Sequence, residues 1–212
     1  LEARGVTVVN SGQAIERTVD KFYTTALLRH HGIPTPATVV CETATDAAAA
    51  IRAMGDVVLK PLFGSMGHGV IRLSSVDEAF RALKTVDLSR GVYYVQQVVE
   101  HGGRDYRVFV VGGRVVGAIA RVAAEGEWRC NISRGAQAIP VEADDRMCAL
   151  ALEATTAVGA DYAGVDLLPA PDGSLLVLEV NGIPGWEGLQ QATGLDVADA
   201  IVAHLEQRVS AS

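Results

Sequence analysis

The sequence predicts an α+β fold of two small lobes. Short apolar runs alternate with helix-periodic stretches through its first half. The second half is richer in strands and carries two hairpin signals, Gly112-Gly113 and Asp172-Gly173. The chain closes on an amphipathic helical segment over 196–208, with no repeat, low-complexity linker or long charge run before it.

Taken in order, Val6 to Val9 reads as a short strand and Asn10-Ser11-Gly12 as a turn. A helical pattern runs from about Gln13 to His31, with a break expected near Thr18 and an apolar face of Phe22, Ala26 and Leu27. Gly32 ends it, and Pro34 and Pro36 prevent continuation. Strands are expected over 37–41, 57–61, 70–73 and 93–99, and helices over 45–54 and 76–84. A hairpin of 107–111 with 114–121 follows, then a helix over 144–158 and a second hairpin of 162–168 with 174–180.

Composition bounds the function. The chain has 212 residues, 49% hydrophobic and 20% charged, which is globular rather than disordered. A net charge of −7 argues against non-specific binding to nucleic acid or an anionic membrane. Cys41, Cys130 and Cys148 are widely spaced and form no C-x-x-C pattern, which disfavours a disulfide framework or zinc site and suits a reducing cytoplasm. No apolar run is long enough for a membrane span, and no signal peptide opens the chain. Leu1-Glu2-Ala3-Arg4-Gly5 reads as the end of a helix cut from something longer. Only Lys21, Lys60 and Lys84 are lysines, so a lysine in an apolar segment asks for an explanation.

The second hairpin carries the most chemistry. A two-residue loop at Asp172-Gly173 sets Asp166 opposite Glu179, with Asn181 on the same face as Glu179. Facing carboxylates among apolar neighbours repel unless a divalent cation joins them. Asp, Glu and Asn oxygens are the hard ligands Mg²⁺ accepts beside substrate phosphates. The alternative is an exposed face whose two acids have arginine partners.

Lys60 ends an apolar strand, and Gly64-Ser65-Met66-Gly67-His68-Gly69 follows. Closely spaced glycines let backbone N–H groups approach an anion, and a lysine adds charge there. The loop leads into a strand and lacks Gly-Lys-Ser/Thr, so it is neither a Rossmann fingerprint nor a Walker A loop; a plain hairpin is the competing reading. Lys21 in its helix reads more readily as a solvated surface lysine. Arg107, Arg114, Arg121, Arg129 and Arg134 crowd one stretch and suggest a locally positive site for an anionic substrate.

These pieces occur in one order along nearly the whole chain: Asp20-Lys21, Val58-Leu59-Lys60-Pro61 with the glycine loop, Val95-Gln96-Gln97, Asp105-Tyr106-Arg107, Arg129-Cys130-Asn131, Arg134-Gly135, Gly164-Val165-Asp166 and Glu179-Val180-Asn181. Together they resemble the ATP-grasp enzymes, specifically the RimK-type α-L-glutamate ligases. The resemblance implies two α+β lobes enclosing ATP. It assigns residues 1–20 to the end of an absent N-terminal domain and linker, 21–97 to the lobe with the phosphate loop, and 98–212 to the lobe with the metal site.

It further implies that Lys21, Lys60, Gly64, Ser65, Gly67 and Gly69 meet the phosphates. Gln96, Gln97, Val98 and Val99 form the adenine hinge, and Asp105 and Arg107 also fall on the nucleotide side. Asp166, Glu179 and Asn181 hold one or two Mg²⁺, with Mn²⁺ as a substitute. Arg121 and Arg134, with Arg129 and Asn131 beside them, serve substrate carboxylate, acyl phosphate or tetrahedral intermediate. The implied reaction forms an acyl phosphate from ATP and an acceptor carboxylate and joins L-glutamate to it. The acceptor is a C1-carrier cofactor or a protein tail, and family members often form homo-oligomers. Gln97 stands where an acid is common in the family, and Ser133 where ribosomal-protein-modifying members carry His. Trp186-Glu187-Gly188-Leu189-Gln190 is similar to the tetrahydromethanopterin and methylofuran branch, where Trp186 would stack on an aromatic acceptor or else pack beneath the last helix. Ligation of another amino acid and a nucleotide-binding module without ligase activity are the alternatives.

Overall fold

The computed structural model describes residues 1–64, 69–75, 78, 79, 82, 83 and 92–211. Ser65, Gly67, the middle of the glycine loop, and Lys84 with most of the helix expected over 76–84 lie outside them.

Two antiparallel sheets make the two lobes. The first has the order β1-β4-β2-β3, from β1 (Thr38–Cys41), β2 (Val57–Lys60), β3 (Ile71–Leu73) and β4 (Tyr93–Gln97). Helix α3 (Ala44–Met54), capped by Thr43, lays Ala47 and Ile51 on Val57, Leu59, Tyr93 and Val95. The second sheet has the order β7-β6-β5-β8-β9, from β5 (Arg104–Val111), β6 (Arg114–Val122), β7 (Gln137–Val141), β8 (Tyr162–Pro169) and β9 (Leu175–Asn181).

Strand alternation gives this second sheet two buried faces. Val108 and Val110 of β5 face α4 (Asp145–Val158), while Phe109 and Val111 face α5 (Glu187–Thr193) and α6 (Val197–Ser210). Gly112 and Gly113, at φ +56° and +71°, form the two-residue primed turn expected between β5 and β6.

The expected helix over 13–31 is two helices, α1 (Gly12–Val19) and α2 (Lys21–His30). Asp20 breaks them, its Oδ1 accepting the N–H groups of Phe22 and Tyr23 as the N-cap of α2. The buried face of α2 is Thr24, Thr25 and Leu28, not Phe22, Ala26 and Leu27; Phe22 is exposed. Leu28 and Ile33 join the core of the second lobe with Val108, Val165 and Val177, while the Thr25 hydroxyl bonds that of Tyr94 on β4, so α2 touches both lobes.

Residues 6–9 form no strand. They lead to Asn10, which is buried and ties this segment to the second lobe. Its Nδ2 donates to the carbonyls of Tyr162 and Gly182, and its Oδ1 accepts the N–H groups of Asp161 and Tyr162.

The β8–β9 hairpin pairs Asp166 with Glu179 as expected, by a different route. Near the turn Pro169 pairs with Leu175, and Gly173 sits at φ +80° in a three-residue loop. That slips the pairing by one residue, and a bulge at Leu178 restores it before Glu179.

Candidate active site

A cleft runs between the two sheets. It gathers Lys21, Lys60, Gly64, Gln96, Gln97, Val98, Val99, Asp105, Arg129, Asn131 and Glu179 from the residues singled out above. Val58, Val70, Leu168 and Leu178 give it apolar walls, and His101, Trp128 and Cys130 line it too.

Each polar group is held by its element. Lys60, at the end of β2, donates from Nζ to Oε1 of Gln96 across β4 at 2.6 Å. Gln96 is buried, and its Nε2 donates to Thr38 Oγ1 and the Tyr94 hydroxyl. Burial pulls the Lys60 ammonium down to about 8, with the Lys21 charge adding to this and Glu179 and Asp166 opposing it. Lys21 opens α2 and donates from Nζ to the Gly64 carbonyl at 2.6 Å. At the hinge, the N–H groups of Gln97 and Val98 already donate to the carbonyls of Ala37 and Asp56. A base there would therefore meet these two residues through their carbonyl oxygens. Glu127 grips Arg129 through Nε and Nη2, at 3.0 and 2.8 Å, and these bonds hold its carboxyl at about 2. Arg134 lies 3.9 Å from the same carboxylate and does not line the cleft.

A second cleft opens on the other side of Glu179, lined by Arg107, Arg121, Ser133, Asn181, Glu187 and the apolar Ile119, Ile132, Ile183 and Leu189. Between the clefts lies a buried row of alternating charges. Asp105 accepts Nε and Nη2 of Arg121, both at 2.7 Å. Asp166 accepts Arg121 Nη2 at 2.9 Å, and Arg107 Nε and Nη2 at 2.7 and 2.9 Å. Burial would raise the Asp166 carboxyl, but the two guanidinium groups hold it at about 2. The sheet order explains the row, because Arg107 pairs with Asp166 and Asp105 with Arg121 across neighbouring strands. Of the arginine partners raised as an alternative for the two acids, Asp166 has two, in a buried rather than exposed position.

For a divalent cation the donor chemistry is suitable: an ionised Asp166, Glu179 opposite it, and Asn181. Asn181 already accepts the Ile183 N–H on Oδ1. Among the described residues no three His, Cys, Asp or Glu side chains cluster for a metal, so the set is two carboxylates and an amide. Trp186 packs against the core beside Phe109 and Tyr162, outside the lining of either cleft.

The apolar walls were not legible as part of a site in the sequence. Leu178 was hidden by the bulge, which turns it and Glu179 toward the same side. His101 carries no signal in its neighbourhood.

Two lobes closing on a lysine-lined cleft, with carboxylates on the second sheet, define an ATP-grasp nucleotide-binding fold. The sequence matches the RimK-like ATP-grasp domain over residues 18–205, and the chain belongs to that family, which is one of ATP-dependent ligases. It is 34% identical over 233 residues to the tetrahydromethanopterin:alpha-L-glutamate ligase of Methanosarcina acetivorans, covering 97% of this chain and 72% of that protein. It is 38% identical over 213 residues to a probable alpha-L-glutamate ligase of Parasynechococcus marenigrum, covering 98% of this chain and 45% of that one. Among solved structures, the ATP-grasp ligase PsnB complexed with minimal precursor superposes with a TM-score of 0.76 at 27% identity, over 96% of this chain and 65% of that chain. The D-alanine–D-alanine ligase of Bacillus anthracis complexed with ATP reaches 0.76 at 20% identity over 98% of this chain and 72% of that chain, a likeness of fold. The two-lobed α+β expectation is borne out. No helix among the described residues is long and apolar enough to cross a membrane.

Proposed function

We propose that this chain is the catalytic region of an ATP-dependent carboxylate–amine ligase that joins L-glutamate to an acceptor carboxylate. One observation carries the reading: Glu179 lines both clefts, so a polyphosphate in the first and a carboxylate in the second would meet beside it. The names of the alpha-L-glutamate ligases above support glutamate as the amine. The chain spans only 45% to 72% of those two proteins, and the remainder of each lies beyond the comparison.

In this reading Val58, Val70, Leu168 and Leu178 sandwich the base, and Lys21 and Lys60 orient the phosphates. Asp166, Glu179 and Asn181 would hold Mg²⁺, with Mn²⁺ as a substitute, which offsets charge on the transferring phosphoryl group. The chain's own task is positioning and charge stabilisation, since phosphoryl transfer asks little covalent help. The acceptor carboxylate oxygen displaces ADP from the γ-phosphorus. The glutamate amine then attacks the acyl carbon and expels phosphate. Arg129 and Asn131 stand at the nucleotide side of this path, and Arg107 and Arg121 at the acceptor side. The second cleft joins arginines to isoleucine and leucine, which suits an acceptor with an apolar or aromatic body and an anionic end, the tetrahydromethanopterin type among them.

The test is ADP release with Mg-ATP, L-glutamate and a panel of acceptor carboxylates, with mass detection of the product. The expected result is glutamate-dependent ADP release with a glutamyl adduct. Nucleotide binding with no adduct across pterin, furan and peptide acceptors would overturn the ligase reading and leave a nucleotide-binding module.

A further inference from the structure

Asp166 is the crux of the buried charge row. A carboxylate offers about four lone-pair positions. Three N–H donors already address this one, two from Arg107 and one from Arg121. A divalent cation at the remaining position would stand beside two guanidinium groups of like charge, and withdrawal of one of them relieves that repulsion.

The two arginines are not equivalent. Arg121 has a side chain only 5% exposed and is gripped by Asp105 through two bonds; its departure would strand a buried carboxylate. Arg107 is 17% exposed, and Asp166 is the carboxylate it meets among the described residues. It already borders the acceptor cleft.

We propose that Asp166 exchanges Arg107 for the divalent cation, and that the released guanidinium becomes the anion-binding fork of the acceptor cleft. Arg107 is then a positioning partner of Asp166 in the empty site and a contact for acceptor carboxylate or acyl phosphate in the loaded one. Metal loading and acceptor recognition become one event. The cleft gains its free positive fork only after the cation is seated, so an acceptor is not held where it cannot be activated. Asp166 keeps two cationic neighbours throughout, first both arginines, then Arg121 and the metal. The inference rests on the ligase reading of the two clefts.

The experiment reads guanidinium accessibility rather than turnover. The chain is treated with phenylglyoxal in the presence of ADP, with and without Mn²⁺, and adducts are mapped by mass spectrometry. Arg107 is expected to react roughly fivefold or more faster when Mn²⁺ is present, and Arg121 to stay protected in both conditions, given its bidentate grip. In Asp166→Asn the Mn²⁺ dependence at Arg107 should vanish. In Arg107→Ala, Mn²⁺ should bind the ADP-loaded chain about tenfold more tightly, because a competing charge-assisted bond is gone. Asp166-dependent Mn²⁺ binding with unchanged labelling of Arg107, or unchanged Mn²⁺ affinity in Arg107→Ala, would overturn the exchange and leave the ligase reading standing. Absence of Mn²⁺–ADP binding would overturn both.

Discussion

Lys60 enters the cleft as a half-buried ammonium pulled down to about 8 by lost hydration. A polyphosphate beside it favours the charged form and raises that value again. The sign follows: near pH 8 the free protein holds the proton about half the time, so nucleotide binding should take up about half a proton. Calorimetry in buffers of different ionisation enthalpy measures this, and Lys60→Met should abolish it while weakening ATP. Affinity for ATP should fall as pH rises through that range. Asp105 makes a second prediction. Removing its charge in Asp105→Ala leaves Arg121 buried with a single partner and should cost about 3–5 kcal/mol in urea denaturation. The lysines were legible because the chain has so few of them, and the facing of Asp166 and Glu179 because a hairpin has only a few pairings. The arginines on Asp166 were not, because Arg107 meets it only once β5 is known to lie beside β8, a neighbour far away in sequence.

Elements with strong local signals were read nearly to the residue. α3, α4 and α6 begin at Thr43, Asp144 and Asp196, whose side chains accept the first free N–H groups. The strand β7 gave no such signal. It is an edge strand with Pro140 inside it and mostly exposed side chains, so neither alternation nor β-propensity marks it. Residues 6–9 failed in the opposite sense, with strand-like composition and no strand to pair with. The β5–β6 turn tests how far a primed turn depends on glycine. At Gly112 a Cβ would lie 2.5 Å from His204 Nδ1, and φ is positive there. Gly112→Ala should therefore lower stability by about 1–3 kcal/mol, seen as a shifted denaturation midpoint. On the β8–β9 hairpin, Leu178 is the extra residue, so its deletion removes the bulge, leaves Glu179 opposite Asp166 and takes away one apolar wall of the first cleft. Mn²⁺ binding should be kept in that variant and ATP affinity weakened.

At the scale of the whole molecule, chain order and lobes disagree. Residues 27–33 share one core with residues 106–180, and the sheet of 38–97 is set between them in sequence. Asn10 fastens the leading segment with four hydrogen bonds, and Lys21 sits eleven residues further along. Asn10→Ala should cost about 2–4 kcal/mol, since several backbone groups lose their partner. If the segment shifts, ATP affinity should weaken too, a pairing that denaturation and nucleotide titration together would reveal. No local pattern could have announced this, because the three partner residues of Asn10, Asp161, Tyr162 and Gly182, lie more than a hundred residues away.

The same arrangement means that the first lobe hangs from the second by two stretches of backbone, around 34–37 and 98–100. They run side by side: the Ala37 carbonyl accepts the Gln97 N–H, and the Pro34 carbonyl accepts that of Val177 in the other sheet. Two adjacent pivots define a single axis. The jaw they carry can swing about that line, while sliding or twisting would tear the bonds between them. Pro34 and Pro36 stiffen one pivot. The mouth of the cleft therefore opens opposite these pivots, on the side where Lys21 reaches across to Gly64, and in the proposed reading the phosphates lie toward that side.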